Sequence, residues 1–406
     1  MEPEKENKKI LGLRRNVFWL GIVSLFNDFS GEMIYSVMPG FLTTVLGAPP
    51  IFVGFIDGFA DALASFLKIY SGWLSDKIKK RKFLSVIGYS LSTATRWFLS
   101  LTVNFWQVFF LRATDRVGKG LRDSPRDALI SESVEPGELG KSFGYHRAMD
   151  TMGKVLGPLS AIIILPLILN DYRLLFQIAF WLGLLAVASF IFVRETHPKA
   201  DPLKPAHDDG VKARDLGKIF SLKEYSREFK FFILSVFIFG LGEMPIALTL
   251  LKSREVGLNG FSIPLMYFVS NLAFVLFAIP AGRISDKIGE RKILILGFLA
   301  AIIAYVNLAV FKDVYFVILG FIFIGLYSAM TDGVERALAS KLVVHEKLAA
   351  GQGFLNAAIG ISTLLSSLIG GGIWTVFGSG PAFAYGVFMM TIGLFSFIAL
   401  NKGCKI

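Results

Sequence analysis

The chain of 406 residues is 54% hydrophobic and 18% charged, with a mean hydropathy of +0.60, which excludes an ordinary water-soluble fold and implies an integral membrane protein. Its net charge of +11 does not imply nucleic acid, because the cations sit in short loops between apolar runs and no solvated basic domain is left to bind it. The one cysteine, Cys404, excludes an internal disulfide or a cysteine-bound metal cluster, and four scattered histidines offer no zinc-site spacing, so no metal and no cofactor is expected.

Residues 1–15 are polar and carry Lys5, Lys8, Lys9, Arg14 and Arg15. A basic start of this kind also opens signal peptides, but here the apolar run continues and no small-residue cleavage site follows. It predicts an uncleaved first span with a cytoplasmic N-terminus. Twelve apolar stretches follow, each near the roughly 20 residues that cross about 30 Å of hydrocarbon. They are 16–38, 51–73, 83–102, 105–124, 142–168 and 172–193, then 230–251, 261–281, 292–311, 313–337, 351–375 and 381–400. The loops that this order puts in the cytoplasm hold Lys77 to Lys82, Arg122 to Lys141, Arg283 to Lys292 and Lys341 to Lys347. Loops on the other side are short, as at Val103-Asn104 and Asn170-Asp171; the stretch 251–259, with Lys252 and Arg254, is the exception. The cation bias places both termini in the cytoplasm. Residues 194–229 are charged, contain Pro198, Pro202 and Pro205, and cannot span a bilayer. They predict a cytoplasmic linker, with a short amphipathic helix at 212–228, between an N-terminal bundle (1–193) and a C-terminal bundle (230–406).

The spans differ in charge. Span 1 holds Asp28 and Glu32, span 2 Asp57, Asp61 and Lys68, and span 3 Arg96. Span 4 adds Arg112, Asp115, Arg116 and Lys119, and span 5 adds His146, Arg147, Asp150 and Lys154. The last six spans offer only Glu243, Asp332, Glu335 and Arg336. A charge at the bilayer centre costs about 2.5–3.5 kcal/mol, so a set this large facing lipid would cost tens of kcal/mol. The charges must pair with one another or line a wet cavity. Their spacing agrees: Asp28 and Glu32, Asp57 and Asp61, the span 4 set, and His146, Asp150 and Lys154 each fall on one helix face. The span 4 and 5 charges read as a structural ion-pair network, and Arg122, Arg126 and Asp127 as loop or gate residues. Asp28 and Glu32 have no cation in their own span. A partly desolvated carboxylate can hold a proton near neutrality, so this pair reads equally as a proton or substrate site or as partners of span 4 cations. The aromatic residues are read as packing.

The stretch Gly72-Trp-Leu-Ser-Asp76-Lys-Ile-Lys-Lys-Arg81-Lys82 recurs 210 residues later as Gly282-Arg-Ile-Ser-Asp286-Lys-Ile-Gly-Glu-Arg291-Lys292. Two copies flanked by membrane-length runs imply two homologous helical halves. The pattern resembles the signature loop of the major facilitator superfamily, between spans 2 and 3 of each half. The glycine after the Asp is kept at Gly289 but is Lys79 in the first copy. The resemblance covers essentially the whole chain. It implies an all-α membrane protein of twelve transmembrane helices in two pseudo-symmetric six-helix bundles. Spans 1, 4, 7 and 10 would line a central path, spans 2, 5, 8 and 11 would flank it, and the rest would lie outside. It also implies that Gly72, Asp76, Arg81, Asp286 and Arg291 act at a cytoplasmic gate.

In span 5, Gly144-x8-Gly153-x3-Gly157-Pro158 resembles the antiporter motif of the drug:proton efflux branch. Such glycines let helices approach closely and the proline bends the helix. The Gly-Gly that should follow is replaced by Ala161 and Ile162, and a generic small-residue packing face is the alternative. The run from Asp115 through Arg122, Arg126 and Asp127, followed by Gly144-Tyr-His-Arg-Ala-Met-Asp150, resembles prokaryotic efflux-like permeases of the same superfamily. Gly137-Glu-Leu-Gly-Lys141-Ser142 imitates the end of a phosphate-binding loop, but Glu135 stands where its first glycine belongs and no strand precedes it. No hydrolase or zinc-protease motif is present, so an enzyme is not expected.

These readings converge on a secondary transporter that works by alternating access, exporting a small organic solute in exchange for protons. Uptake of an anionic or metal-chelating nutrient is the alternative, because spans 4 and 5 carry more cations than acids. A non-transporting sensor or partner-binding membrane protein, or a lipid-handling facilitator, would be a different class. The expected proton-coupling or substrate residues are Asp28, Glu32, Asp57, Asp61, Arg112, Asp115, Arg116, His146, Arg147, Asp150 and Glu243. Gly153, Gly157 and Pro158 join the gating set. The expected setting is a multi-pass monomer in the lipid bilayer of the inner (plasma) membrane.

Overall fold

The computed structural model describes residues 9–78, 80–135, 138–195, 225–257, 262–344 and 348–403. The first six spans are single helices: α1 (Arg15–Gly40), α2 (Pro50–Ile78), α3 (Arg81–Ser100), α4 (Phe105–Glu132), α5 (Leu139–Leu167) and α6 (Tyr172–Ser189). Span 7 is broken into α7 (Arg227–Gly240) and α8 (Ile246–Glu255). Then come α9 (Ser262–Ile288) and α10 (Glu290–Val310). Span 10 is broken into α11 (Val314–Thr331) and α12 (Val334–Lys341), and α13 (Leu348–Phe377) and α14 (Ser379–Gly403) close the chain. This is the twelve-span, all-α membrane fold that the repeat implies. Among the described residues the one sheet is a hairpin of β1 (Lys9–Ile10) and β2 (Leu13–Arg14), whose two-residue turn puts Leu11 and Gly12 at positive φ.

Local chemistry fixes the helix ends. Asn104 accepts from the backbone N–H of Gln107 at 3.0 Å, Asp171 from that of Arg173 at 2.9 Å, Ser226 from that of Phe229 at 3.1 Å and Asp313 from that of Tyr315 at 2.8 Å. Each side chain satisfies a donor that the first helical turn leaves open. Gly289, the glycine kept in the second signature copy, joins α9 to α10 at φ 94°, where a side chain would be strained. Its counterpart Lys79 lies outside the described residues, as does the stretch 196–224, which holds nearly all of the expected linker.

The described helices pack as two units. One holds α1 to α6 with α8 and the part of α9 up to Asn271; the other holds α7, α9 from Leu272, and α10 to α14. The division therefore falls at the break of span 7 and inside α9, so Ile246–Asn271 packs with the first six spans although chain order puts it in the second half. In the first unit α1 lies on α5 and α6, α3 on α4 and α6, and α2 on α4. Its apolar core gathers Leu13, Val17, Leu20, Val23, Tyr89, Leu129, Ile130 and Phe190. In the second, α10 packs on α11 and α14, and α7 on α13 and α14. There Phe239 stacks on Phe298 at 4.0 Å, and Phe298 meets Phe397 edge-on at 5.6 Å. Large apolar side chains such as Phe110, Ile163, Trp181, Val376, Phe388 and Phe395 point outward, as a lipid-facing surface requires. Among the described residues seven helices are long and apolar enough by themselves to cross a membrane. The charged helices α1 to α4 are not in that set, nor are the short pieces of span 7.

Candidate functional site

The first unit encloses the polar stripes. Arg112 of α4 reaches Asp57 of α2 at 3.1 Å and Asp115 of its own helix at 3.7 Å. Tyr35 of α1 donates its hydroxyl to the other Asp57 oxygen at 2.5 Å, and the Arg112 guanidinium lies 5.0 Å from the centre of the Tyr35 ring. One turn on, Arg116 pairs with Asp61 at 3.3 Å. Five expected site residues are thus one interlocked network between α2 and α4. The Asp57 side chain is 4% exposed and that of Arg112 8%, so protein groups rather than water compensate both charges.

Arg96 of α3 turns inward rather than to lipid. It donates to Ser30 at 2.8 Å and to Asn27 Oδ1 at 2.7 Å, both on α1. Arg122 also donates to Asn27 Oδ1, at 3.3 Å, and lies 4.4 Å from the centre of the Tyr89 ring. A third group joins His146 to Asp150 on α5 at 3.7 Å, with Ser24 of α1 donating to the same Asp150 oxygen. Arg147, expected beside them, is exposed and makes no ion pair among the described residues. The buried Nε of Arg116, Nε of Arg122 and Nε2 of His146 have no hydrogen-bond partner among the described residues.

Asp28 meets the Arg96 group only through Asn27, and Glu32 bonds to α9. Among the described residues neither forms an ion pair. Arg112 and Arg116 of α4 pair with Asp57 and Asp61 of α2. Asp28 accepts from the adjacent Asn27 side chain at 2.9 Å. Glu32 Oε2 accepts the hydroxyl of Tyr267, on α9, at 2.7 Å. The Tyr267 and Tyr35 rings meet edge-on at 5.5 Å, and Asn271, one turn further along α9, donates to the backbone carbonyl of Lys154. The two acids lie where glycines of α5 face α1. A Cβ on Gly153 would come within 2.9 Å of Asp28 Cβ and 2.8 Å of Phe29 N, and one on Gly157 within 2.7 Å of Glu32 Cβ. The glycine pattern of span 5 is therefore the surface against which the acids are held. Helix α5 runs unbroken through Pro158.

In the second unit Glu243 lies in the break of span 7 and accepts the Tyr327 hydroxyl at 2.7 Å. The signature loops differ from each other. The side chains of Gly72 and Asp76 lie outside the described residues, while Arg81 pairs with Glu132, at the end of α4, at 2.8 Å. In the second copy Arg291 reaches Glu228 at 3.3 Å, Glu290 takes Lys341 at 2.5 Å, and Asp286 is exposed.

Sequence reasoning missed the tyrosines. Tyr35, Tyr267 and Tyr327 passed as packing aromatics, yet each donates to a core carboxylate. One signal was present: Tyr267 follows Asp57 by 210 residues, the offset of the signature repeat. What the arrangement offers chemically is two carboxyls on one helix face, without an ion pair among the described residues and each in reach of a neutral donor.

The comparisons with known proteins agree with this architecture. The family profile described as Major Facilitator Superfamily matches residues 20–243 and 231–402. An uncharacterized MFS-type transporter of Methanocaldococcus jannaschii is 31% identical over 379 residues, covering 92% of each chain. Multidrug resistance protein 2 of Bacillus subtilis is 21% identical over 402 residues, covering 95% of this chain and 96% of its own. Among solved structures, a POT family transporter in complex with 5-aminolevulinic acid superposes with a TM-score of 0.79 over 97% of both chains at 14% identity.

Proposed function

The chain belongs to the major facilitator superfamily of secondary transporters, and from that premise we propose that it exports a small organic solute in exchange for protons. It is a multi-pass membrane protein and not an enzyme. The observation that carries the proposal is the pair Asp28 and Glu32, two acids one turn apart on α1 that form no ion pair among the described residues. Loading a proton onto Glu32 discharges the acceptor of the Tyr267 hydroxyl, and so weakens a bond between α1 and α9. A ligand shifts a conformational equilibrium only through contacts that differ between states, and this bond is such a contact. Export is supported by the glycine pattern against α1 and by the multidrug resistance relative.

In this reading Asp57, Asp61, Arg112, Asp115, Arg116, His146, Arg147, Asp150 and Glu243 are further groups for proton coupling or substrate contact. Arg81, Asp286 and Arg291, with Gly72 and Asp76, act at a cytoplasmic gate. A single chain works alone in the inner membrane, with both termini and the 194–229 linker in the cytoplasm. A second reading, uptake of an anionic or metal-chelating nutrient, draws on the buried Nε atoms of Arg116 and Arg122. A thermal-shift screen of purified protein against drugs, metabolites and chelates finds the solute. Flux of that solute into proteoliposomes under pH gradients of either sign then separates the readings. Exchange requires proton and solute to move in opposite directions, and movement in the same direction defeats it.

A further inference from the structure

Three helices meet at one side-chain amide. Asn27 of α1 is 2% exposed, and its oxygen accepts from arginines of two other helices. Arg96 of α3 donates to that oxygen at 2.7 Å and to the Asn27 backbone carbonyl at 3.2 Å. Arg122 of α4 donates to the same side-chain oxygen at 3.3 Å. Both arginines are buried. Glycines leave the room they need. A Cβ on Gly183 of α6 would collide with Arg96 Nη1, and one on Gly88 of α3 would come within 2.7 Å of Arg122 Cβ.

These bonds fix which way the amide points. A guanidinium has donors and no acceptor, so the atom that faces both arginines must be the oxygen. The nitrogen then faces away from them, and it donates to Asp28 Oδ1 at 2.9 Å. Turning the amide over would set two buried guanidiniums against an NH2 group, leaving donors facing donors. Among the described residues neither arginine bonds to Asp28 itself. Their pull reaches the acid through Asn27, because a bond accepted at the amide oxygen polarises the N–H that the nitrogen donates. The arginines are held in turn. Arg96 donates to Ser30 at 2.8 Å, and Arg122 lies against the Tyr89 ring and 3.9 Å from Asp123.

We propose that Asn27 is a positioning residue for Asp28: it aims the carboxyl and passes on to it the hold of Arg96 and Arg122. The use of Asp28 in transport rests on the exchange reading above; its orientation by Asn27 does not. The test is carbon-13 NMR of the full chain, labelled at the aspartate carboxyls, in phosphatidylcholine nanodiscs. Asp28→Asn identifies the Asp28 signal by its loss. Lysine keeps the charge of Arg96 but lacks the fork that meets Ser30 and Asn27 together. Arg96→Lys should therefore shift the Asp28 signal, although Arg96 makes no bond to Asp28. In an Asn27→Ala background the same substitution should leave the signal where Asn27→Ala alone puts it. A role confined to holding α1 against α3 and α4 would change the melting temperature without this pattern. Arg122→Lys makes the same comparison if Arg96→Lys does not fold, and Asn27→Ser replaces Asn27→Ala on the same ground. An Asp28 signal that the lysine variant does not move overturns the proposal. So does a shift of the same size with and without Asn27, because the arginine then acts by another path. The expected pattern, found together with proton and solute moving in the same direction, defeats the exchange reading alone.

Discussion

Arg112 and Arg116 are adjacent turns of one helix with the same type of partner, yet their removal should not cost the same. The Asp57 side chain is 4% exposed, and Arg112→Ala leaves its charge buried against a tyrosine hydroxyl. Breaking a buried pair from one side typically costs about 3–5 kcal/mol. Asp61 is 45% exposed on its side chain, so water takes over when Arg116 is lost, and the pair itself accounts for no more than about 1 kcal/mol. Thermal unfolding in detergent should therefore rank Arg112→Ala far below Arg116→Ala, and the Arg112→Met, Asp57→Leu double variant should recover most of the loss. A double variant as unstable as the single one would mean that the pair is not the electrostatic unit described. Charges of this kind were legible in the sequence because any Asp or Arg inside an apolar run stands out. The tyrosines were not, because an amphipathic ring is equally at home in packing and at a carboxylate, and only the partner tells which.

Helix α5 shows the same contrast among its three motif glycines. A Cβ on Gly153 or Gly157 meets the backbone of α1 at 2.8 Å, and backbone cannot give way as a flexible side chain can. Gly153→Ala and Gly157→Ala should each cost about 1–3 kcal/mol, as overpacking does, and should displace Asp28 or Glu32. Gly144 has nothing within 4 Å, so Gly144→Ala meets only the helix-propensity gain of up to about 1 kcal/mol and should raise the melting temperature. Equal effects at all three positions would return the pattern to a generic small-residue face. The twelve spans were legible from apolar length, but the breaks in spans 7 and 10 were not. The break in span 7 rests on hydroxyls from other helices, Tyr305 and Ser366 at Met244 and Glu243, which no local pattern announces. The two cations that disturbed the loop bias, Lys252 and Arg254, have a physical account. Lys252 is 2% exposed and bonded to Glu255 at 3.1 Å, and Arg254 donates to Thr43, so neither is a free loop charge.

Among the described residues the two halves handle charge differently: the first pairs Arg112 with Asp57 and Arg116 with Asp61 inside its bundle, while Glu243 of the second forms no ion pair and accepts a tyrosine hydroxyl. The first half also ties down its own entry. Lys9 meets Glu138 at 2.7 Å and Arg14 meets Glu138 at 3.3 Å and Glu135 at 3.1 Å, so the N-terminal hairpin is held to the loop between α4 and α5. Lys141 donates to the Gly12 carbonyl, Leu13 is buried in the apolar core, and Asn16 joins Ser133 to the Arg194 carbonyl at the exit of α6. Hydrogen bonds from Lys9 first and Arg14 second hold the Glu138 carboxyl below its ordinary value of 4.5. A depressed carboxylate contributes its full stabilisation above the unfolded value and loses it as pH falls through the lower, folded one. Hydrogen exchange at residues 9–14 should therefore stay slow from neutrality down to about pH 4.5 and quicken only below it, sooner at high salt, where exposed pairs are screened. Glu138→Gln should show the quickened exchange already at neutral pH. If acidification and Glu138→Gln both leave the protection unchanged, the burial of Leu13 alone holds the hairpin, and the charges around it are bystanders.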